Sequence, residues 1–162
     1  MKLIGDKLIF ALEYDIQDRN ELMGYSRVWF GNNYIGSKKE LIYIKSYLLD
    51  NLKRMGSIGE LYVNLSNENN HEKYKILEKK LMNLDDDIIH RYLVSFGTLA
   101  DDYTIFSYLD ESNNICIIWK LHAHEYFEDI DYNDTDVKSF KMPLEAYLRE
   151  LERFEKIILL DG

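Results

Sequence analysis

Tyr103-Thr104-Ile105-Phe106-Ser107-Tyr108-Leu109 and Asn114-Ile115-Cys116-Ile117-Ile118-Trp119-Lys120-Leu121-His122 are two β-rich runs joined by the turn formers of Asp110-Glu111-Ser112-Asn113-Asn114. This is the signature of a β-hairpin. Because side chains alternate along a strand, Ile115, Ile117, Trp119 and Leu121 share one face of the second arm, while Cys116, Ile118, Lys120 and His122 share the other.

Outward from the hairpin, residues 137–142 can return as a further strand. Pro143 follows, the one proline of the chain, at a place that suits the first turn of a helix. Leu144, Tyr147, Leu148, Leu151, Phe154 and Ile158 then recur at helical spacing, with Glu145–Arg149 and Glu152–Lys156 as favourable i, i+4 pairs. In the other direction, residues 88–96 are apolar enough for a strand. Tyr74, Leu77, Leu81 and Leu84 predict a helix over 71–84, and residues 60–65 alternate as a short strand. Ser37 and Glu40 have the spacing of a capping box. With Leu41, Ile44, Leu48, Leu52 and Met55 they predict one helix over 38–55, ended by Gly56 in a left-handed cap. Residues 7–16 alternate, with Leu8, Phe10, Leu12, Tyr14 and Ile16 on one face. Residues 25–30 form a second strand, and Gly31-Asn32-Asn33 supplies a hairpin tip from which Tyr34 and Ile35 return. Strands that arrive as hairpin neighbours favour an α+β architecture: a mainly antiparallel sheet with about three helices packed on it, in one domain over 1–162.

The charge is lopsided. Residues 101–136 hold ten acids and one base, Lys120, so this stretch carries as much negative charge as the whole chain, whose net charge is −9. Such a field argues about partners rather than fold; it favours a cationic partner and disfavours nucleic acid. Within it, residues 125–136 form an acidic loop whose Glu125, Glu128, Asp129, Asp131, Asp134 and Asp136 are interleaved with aromatics. Because interface anchors tend to be aromatic, Glu125, Tyr126, Glu128, Asp129, Asp131, Tyr132, Asp134 and Asp136 are the candidate partner-binding residues. The ordinary alternative is a solvated loop. The Lys73, Lys75, Lys79 and Lys80 cluster reads as a solvated helix face, with no interleaved aromatic platform for nucleic acid.

Catalytic chemistry finds little purchase. No nucleophile elbow or Gly-rich phosphate loop is present. Asp85-Asp86-Asp87 lacks the spacing, glycine and terminal glutamate of a calcium loop. His122 and His124 project to one side of a strand and could, with Glu125 or Glu128, ligate a metal, although such a pair is more often an ordinary strand-end feature. The sequence therefore names no catalytic residue, no metal site and no cofactor. Cys116 is the one cysteine, so an internal disulfide is impossible, and its apolar neighbours make it an inert strand residue. The start, Met1-Lys2-Leu3-Ile4-Gly5-Asp6, is not that of a signal peptide, and no apolar run approaches the roughly 18 residues of a membrane span. The expected location is cytoplasmic, with no membrane partner.

Ile4-Gly5-Asp6-Lys7-Leu8-Ile9-Phe10-Ala11-Leu12-Glu13-Tyr14 resembles the opening of the Immunity protein 42 family. The similarity continues through Val28-Trp29-Phe30-Gly31-Asn32-Asn33-Tyr34-Ile35-Gly36 and Lys39-Glu40-Leu41, and Phe140-Lys141-Met142-Pro143-Leu144 is compatible with it. These motifs are structural, so no functional residue carries over. The resemblance implies a small, non-enzymatic cytosolic protein that binds and neutralises a secreted bacterial toxin, such as a nuclease with a basic surface. Two other readings stay open from the residues: a general binding or scaffold domain with an acidic recognition loop, and a metal-dependent hydrolase built on His122 and His124.

Overall fold

The structure, a computed structural model, describes residues 1–98, 101–122 and 127–161. Its strands form two antiparallel sheets. The first contains β1 (Lys2–Asp6), β2 (Phe10–Asp18), β3 (Met23–Phe30) and β4 (Asn33–Ile35) in that order, with β5 (Leu41–Tyr43) also paired to β3. The second is a meander of β6 (Leu93–Val94), β7 (Tyr103–Leu109), β8 (Asn114–Leu121) and β9 (Lys138–Pro143). Helix α1 starts as a π-helical stretch, Ile44–Leu49, and continues as α-helix over Asp50–Met55. Helix α2 spans Asn70–Leu81 and α3 spans Leu144–Asp161, with a 3-10 helix at Asp87–Arg91. The α+β architecture expected from the sequence is the one observed.

The two apolar faces of β8 explain the layering. Ile115, Ile117 and Trp119 face the main core, where they meet Phe10, Leu12, Val28 and Phe30 of the first sheet, Leu48 and Leu52 of α1, and Tyr147, Leu151 and Phe154 of α3. Cys116 and Ile118 face a second core with Phe106, Tyr74 and Leu77 of α2, and Ile89 and Tyr92. Strands β7 and β8 are thus buried on both faces, and their hairpin pairs Ile105 with Trp119 and Leu109 with Ile115. Its turn is stitched by Asp110, whose Oδ1 accepts from the Ser112 and Asn114 amides at 3.0 and 2.9 Å, while Asn113 takes a left-handed φ of 58°. The 31–35 hairpin also forms as expected, with φ of 54° at Gly31 and 64° at Asn32.

Several local expectations fail, each through a tertiary contact. The helix expected over 38–55 starts only at Ile44, because Leu41–Tyr43 pair with Met23–Tyr25 as β5. Ser37 caps no helix; its hydroxyl donates to Asp129. Gly56 is right-handed, with φ of −67°, and Leu148 lies 2.8 Å from where a Cβ would stand. Residues 60–65 form no strand beyond a bridge from Glu60 to Leu109. Helix α2 ends at Leu81, leaving Leu84 exposed, and much of 88–96 is 3-10 helix rather than strand. Leu8 sits exposed in the turn before β2, and β1, which the sequence did not announce, pairs with β2 along its whole length. Pro143 closes β9 instead of opening α3. Among the described residues no helix is long and apolar enough to cross a membrane.

Candidate partner-binding site

The acidic segment, described from Phe127 onward, lies beside the 31–35 hairpin and the C-terminal end of β8. What fastens it is Asp129. Its Oδ1 accepts from Ser37 Oγ at 2.7 Å, and its Oδ2 accepts from the Lys38 amide at 2.6 Å and from Arg27 Nη2 at 2.8 Å. Its backbone carbonyl accepts from the same Arg27 nitrogen at 2.7 Å and from Tyr34 Oη at 2.9 Å. Burial pushes this carboxyl up, but the Ser37 and Lys38 hydrogen bonds and the Arg27 charge outweigh it and hold the pKa below the ordinary carboxylate value. Strand alternation supplies the partners. Arg27 and Trp29 of β3 and Tyr34 of β4 point away from the main core, opposite Val28, Phe30 and Ile35.

A second charged cluster continues along this outer face. Glu13, cross-strand from Arg27, accepts from Trp29 Nε1 at 3.0 Å and pairs with Lys7 at 2.8 Å and Lys38 at 3.4 Å. Burial pushes Glu13 up, and these donors more than offset it, so its pKa is lowered. Lys7 lies over the Trp29 ring, Trp29 packs on Tyr34, and Arg27 lies over Tyr34 at 4.1 Å.

The remaining candidate residues divide by environment. Glu128 is exposed and pairs with Lys39 at 2.5 Å, which lowers the Glu128 pKa and raises that of Lys39. Asp134 pairs with Lys138 at 2.8 Å. Asp131 is exposed and accepts from the amide of Asn133 at 3.1 Å, and Asp136 is exposed. Tyr132 is half-buried; its hydroxyl donates to Asp102 Oδ2 at 2.7 Å. Glu125 and Tyr126 lie outside the described residues, as does His124. The His122 ring nitrogen Nε2 is 2.6 Å from Thr104 Oγ1, and among the described residues no group of three or more His, Cys, Asp or Glu side chains is placed to hold a metal ion. Sequence reasoning missed Arg27, Tyr34, Ser37 and Lys38, about ninety residues or more from Asp129; only their opposite charge or donor chemistry could have signalled them.

A concavity of about 650 Å³ lies elsewhere, between residues 60–66, the start of α2 and the β7–β8 turn. Asp110 and Lys141 on its wall pair with each other, and burial pushes its Cys116 thiol up, away from reactivity. It brings no catalytic set together.

Residues 1–157 match the family model described as Immunity protein 42. The chain belongs to the Immunity protein 42 family. No curated protein and no solved structure matches the chain. A member of this family is an immunity protein against a toxin.

Proposed function

We propose that this protein neutralises its cognate secreted toxin by stoichiometric contact, without catalysis, in the cytoplasm of the cell that makes it. We further propose that the acidic segment is the face that meets the toxin, and that the toxin's own face is basic. Membership of the immunity family supports the first statement. The observation that carries the second is the set of exposed carboxylates, Glu128, Asp131, Asp134 and Asp136, displayed on a segment that Asp129 fastens to the first sheet. Fixed charge of one sign steers a partner of the other and accelerates its approach. Nucleases, whose substrate-binding surfaces are basic, are the toxin class this charge suits best. Glu125, Tyr126 and Tyr132 belong to the same proposed face.

Co-expression with the cognate toxin, sought among the genes that neighbour this one, tests the reading. The two products should co-purify in equal amounts, and the toxin's damage to the host should cease. A toxin that is neither bound nor neutralised refutes it. Changing Glu128, Asp131 and Asp134 together to amides should slow association and flatten its salt dependence; unchanged rates at low salt would move the binding face elsewhere.

A further inference from the structure

Between the 31–35 hairpin and residues 130–138 the edge of the main core opens in a crevice of about 170 Å³. Beside the amides Asn32 and Asn33, its walls are of two kinds. The deep part is apolar and aromatic: Tyr34, Tyr103, Trp119, Leu121 and Ile130, with Trp119 only 2% exposed. The mouth carries three carboxylates, Asp131, Asp134 and Asp136, and one amine, Lys138. Lys138 is already bonded to Asp134, while Asp131 and Asp136 pair with no cation among the described residues. The crevice therefore presents an apolar throat below a mouth with two uncompensated negative charges.

A long side chain with an aliphatic stem and a terminal cation matches both parts. Its methylenes would replace water against the rings and Leu121, and its charge would stay at the mouth beside the carboxylates. The volume admits one such side chain and no element of secondary structure. A second copy of this chain offers the same acidic face, so its approach would be opposed.

We propose that this crevice is the anchor pocket for one lysine or arginine side chain of the toxin; this rests on the toxin-neutralising reading. The pocket shifts the specific contact from Asp129, whose carboxylate is used internally, to Asp131 and Asp136.

The test compares D131N/D136N with D85N/E111Q, which removes equal charge from sites outside the crevice, against the cognate toxin domain identified by co-expression. Both variants change exposed acids, and unchanged thermal melting checks their folding. Lost steering lowers the association rate, whereas a lost anchor speeds dissociation. D131N/D136N should bind about tenfold more weakly, mainly through faster dissociation. D85N/E111Q should dissociate at the unmodified rate. Dissociation of D131N/D136N at the unmodified rate overturns the pocket while leaving the toxin reading intact.

Failure of the unmodified protein to bind the toxin overturns that reading instead. The pocket is then judged by two probes, acetyl-Gly-Lys-Gly-amide and acetyl-Gly-Arg-Gly-amide, titrated into ¹⁵N-labelled protein. Saturable shifts at Asn33, Ile130, Asp131, Asp136 and the Trp119 indole, abolished in D131N/D136N, support it. No saturable shift, or equal shifts with acetyl-Gly-Gln-Gly-amide, overturns it. So does a concentration-dependent dimer that D131N/D136N disperses, which would give the crevice to a second copy.

Discussion

Asp129→Asn is nearly isosteric and removes one charge from the contact that holds the acidic segment. In the native chain the Arg27 side chain is 9% exposed and that of Asp129 18% exposed, so the ion pair is largely shielded from water. Removing one partner of a fully buried pair costs roughly 3–5 kcal/mol, because the other charge is stranded. Two features reduce the cost here. Some solvent reaches the carboxylate, and the asparagine carbonyl can still accept one of the bonds now given by Ser37, Lys38 and Arg27. The expected loss is therefore about 2 kcal/mol. Urea unfolding should show it as a lower midpoint with an unchanged slope. The Lys38 amide, which donates to Oδ2, should exchange with solvent faster. The pH dependence has a definite sign. The native carboxyl titrates below its ordinary value of 3.8, so its contribution is complete above that pH and disappears as pH falls through the lowered native value. Asp129→Asn should remove that part of the acid-side decline. A loss below about 0.5 kcal/mol with unchanged Lys38 exchange would refute the reasoning, since ordinary surface substitutions already fall in that range.

Three further outcomes follow from the same structure. Ile117→Ala, at a fully buried position of the main core, should cost about 3–4 kcal/mol by urea unfolding, whereas Cys116→Ala, one residue away in the second core, removes a smaller group and should cost about 1 kcal/mol. Glu40→Gln should stabilise the protein at neutral pH by roughly 0.5–1 kcal/mol, since burial and then the Asp101 and Asp102 charges raise the Glu40 pKa against a hydrogen bond with Thr98, and its Oε2 has no partner among the described residues; a destabilised variant would contradict this. Asp110→Ala should destabilise the β7–β8 hairpin by about 1 kcal/mol in thermal unfolding, a figure reduced for solvent screening. Burial pushes Asp110 up, but Lys141 and Asn114 bring it down to about 2, so its share of stability is whole above its ordinary 3.8 and lost as pH falls through about 2.

The β7–β8 hairpin was legible because both faces of β8 are apolar and its turn residues bond one another locally. Helix α3 was legible for a similar reason: Tyr147, Leu151, Phe154 and Ile158 of its expected stripe are buried in one core, with Leu144 partly buried beside them and only Leu148 of that stripe exposed. The 37–43 segment was not legible. Its Ser37-x-x-Glu40 spacing satisfies a local capping rule, yet the Ser37 hydroxyl is taken by Asp129, 92 residues later. Ile42 and Ile44 are buried while Leu41 and Tyr43 are exposed, so the segment follows the period of a strand within a run that also fits helical spacing. Short elements such as β1, in which Gly5 takes a φ of 91°, owe their conformation to a neighbour and leave no pattern of their own. At the site, sequence exposed the sign and position of the charge, because those are properties of composition. Which acids are neutralised depends on Arg27, Lys39 and Lys138, and pairings across folded distance have no sequence period.

That division of the acids bears on how the proposed face would work. A mobile acidic loop must lose conformational freedom when a partner fixes it, at a cost of about 1–2 kcal/mol for each residue ordered. Asp129 makes that loss part of folding, by tying the middle of the segment to β3, β4 and the chain beyond them through five hydrogen bonds. Its charge is consumed in doing so, and Lys39 and Lys138 offset Glu128 and Asp134 in the free protein. The segment's usable field is therefore smaller than its count of acids implies, but it is held in place before any partner arrives. Affinity gained this way comes from pre-organisation rather than from added contacts. On this argument Asp129→Asn should weaken toxin binding although its carboxylate is engaged within the protein, and the loss should grow with temperature as the loosened segment samples more conformations. Binding that is insensitive to Asp129→Asn at every temperature would show that the anchor serves stability alone.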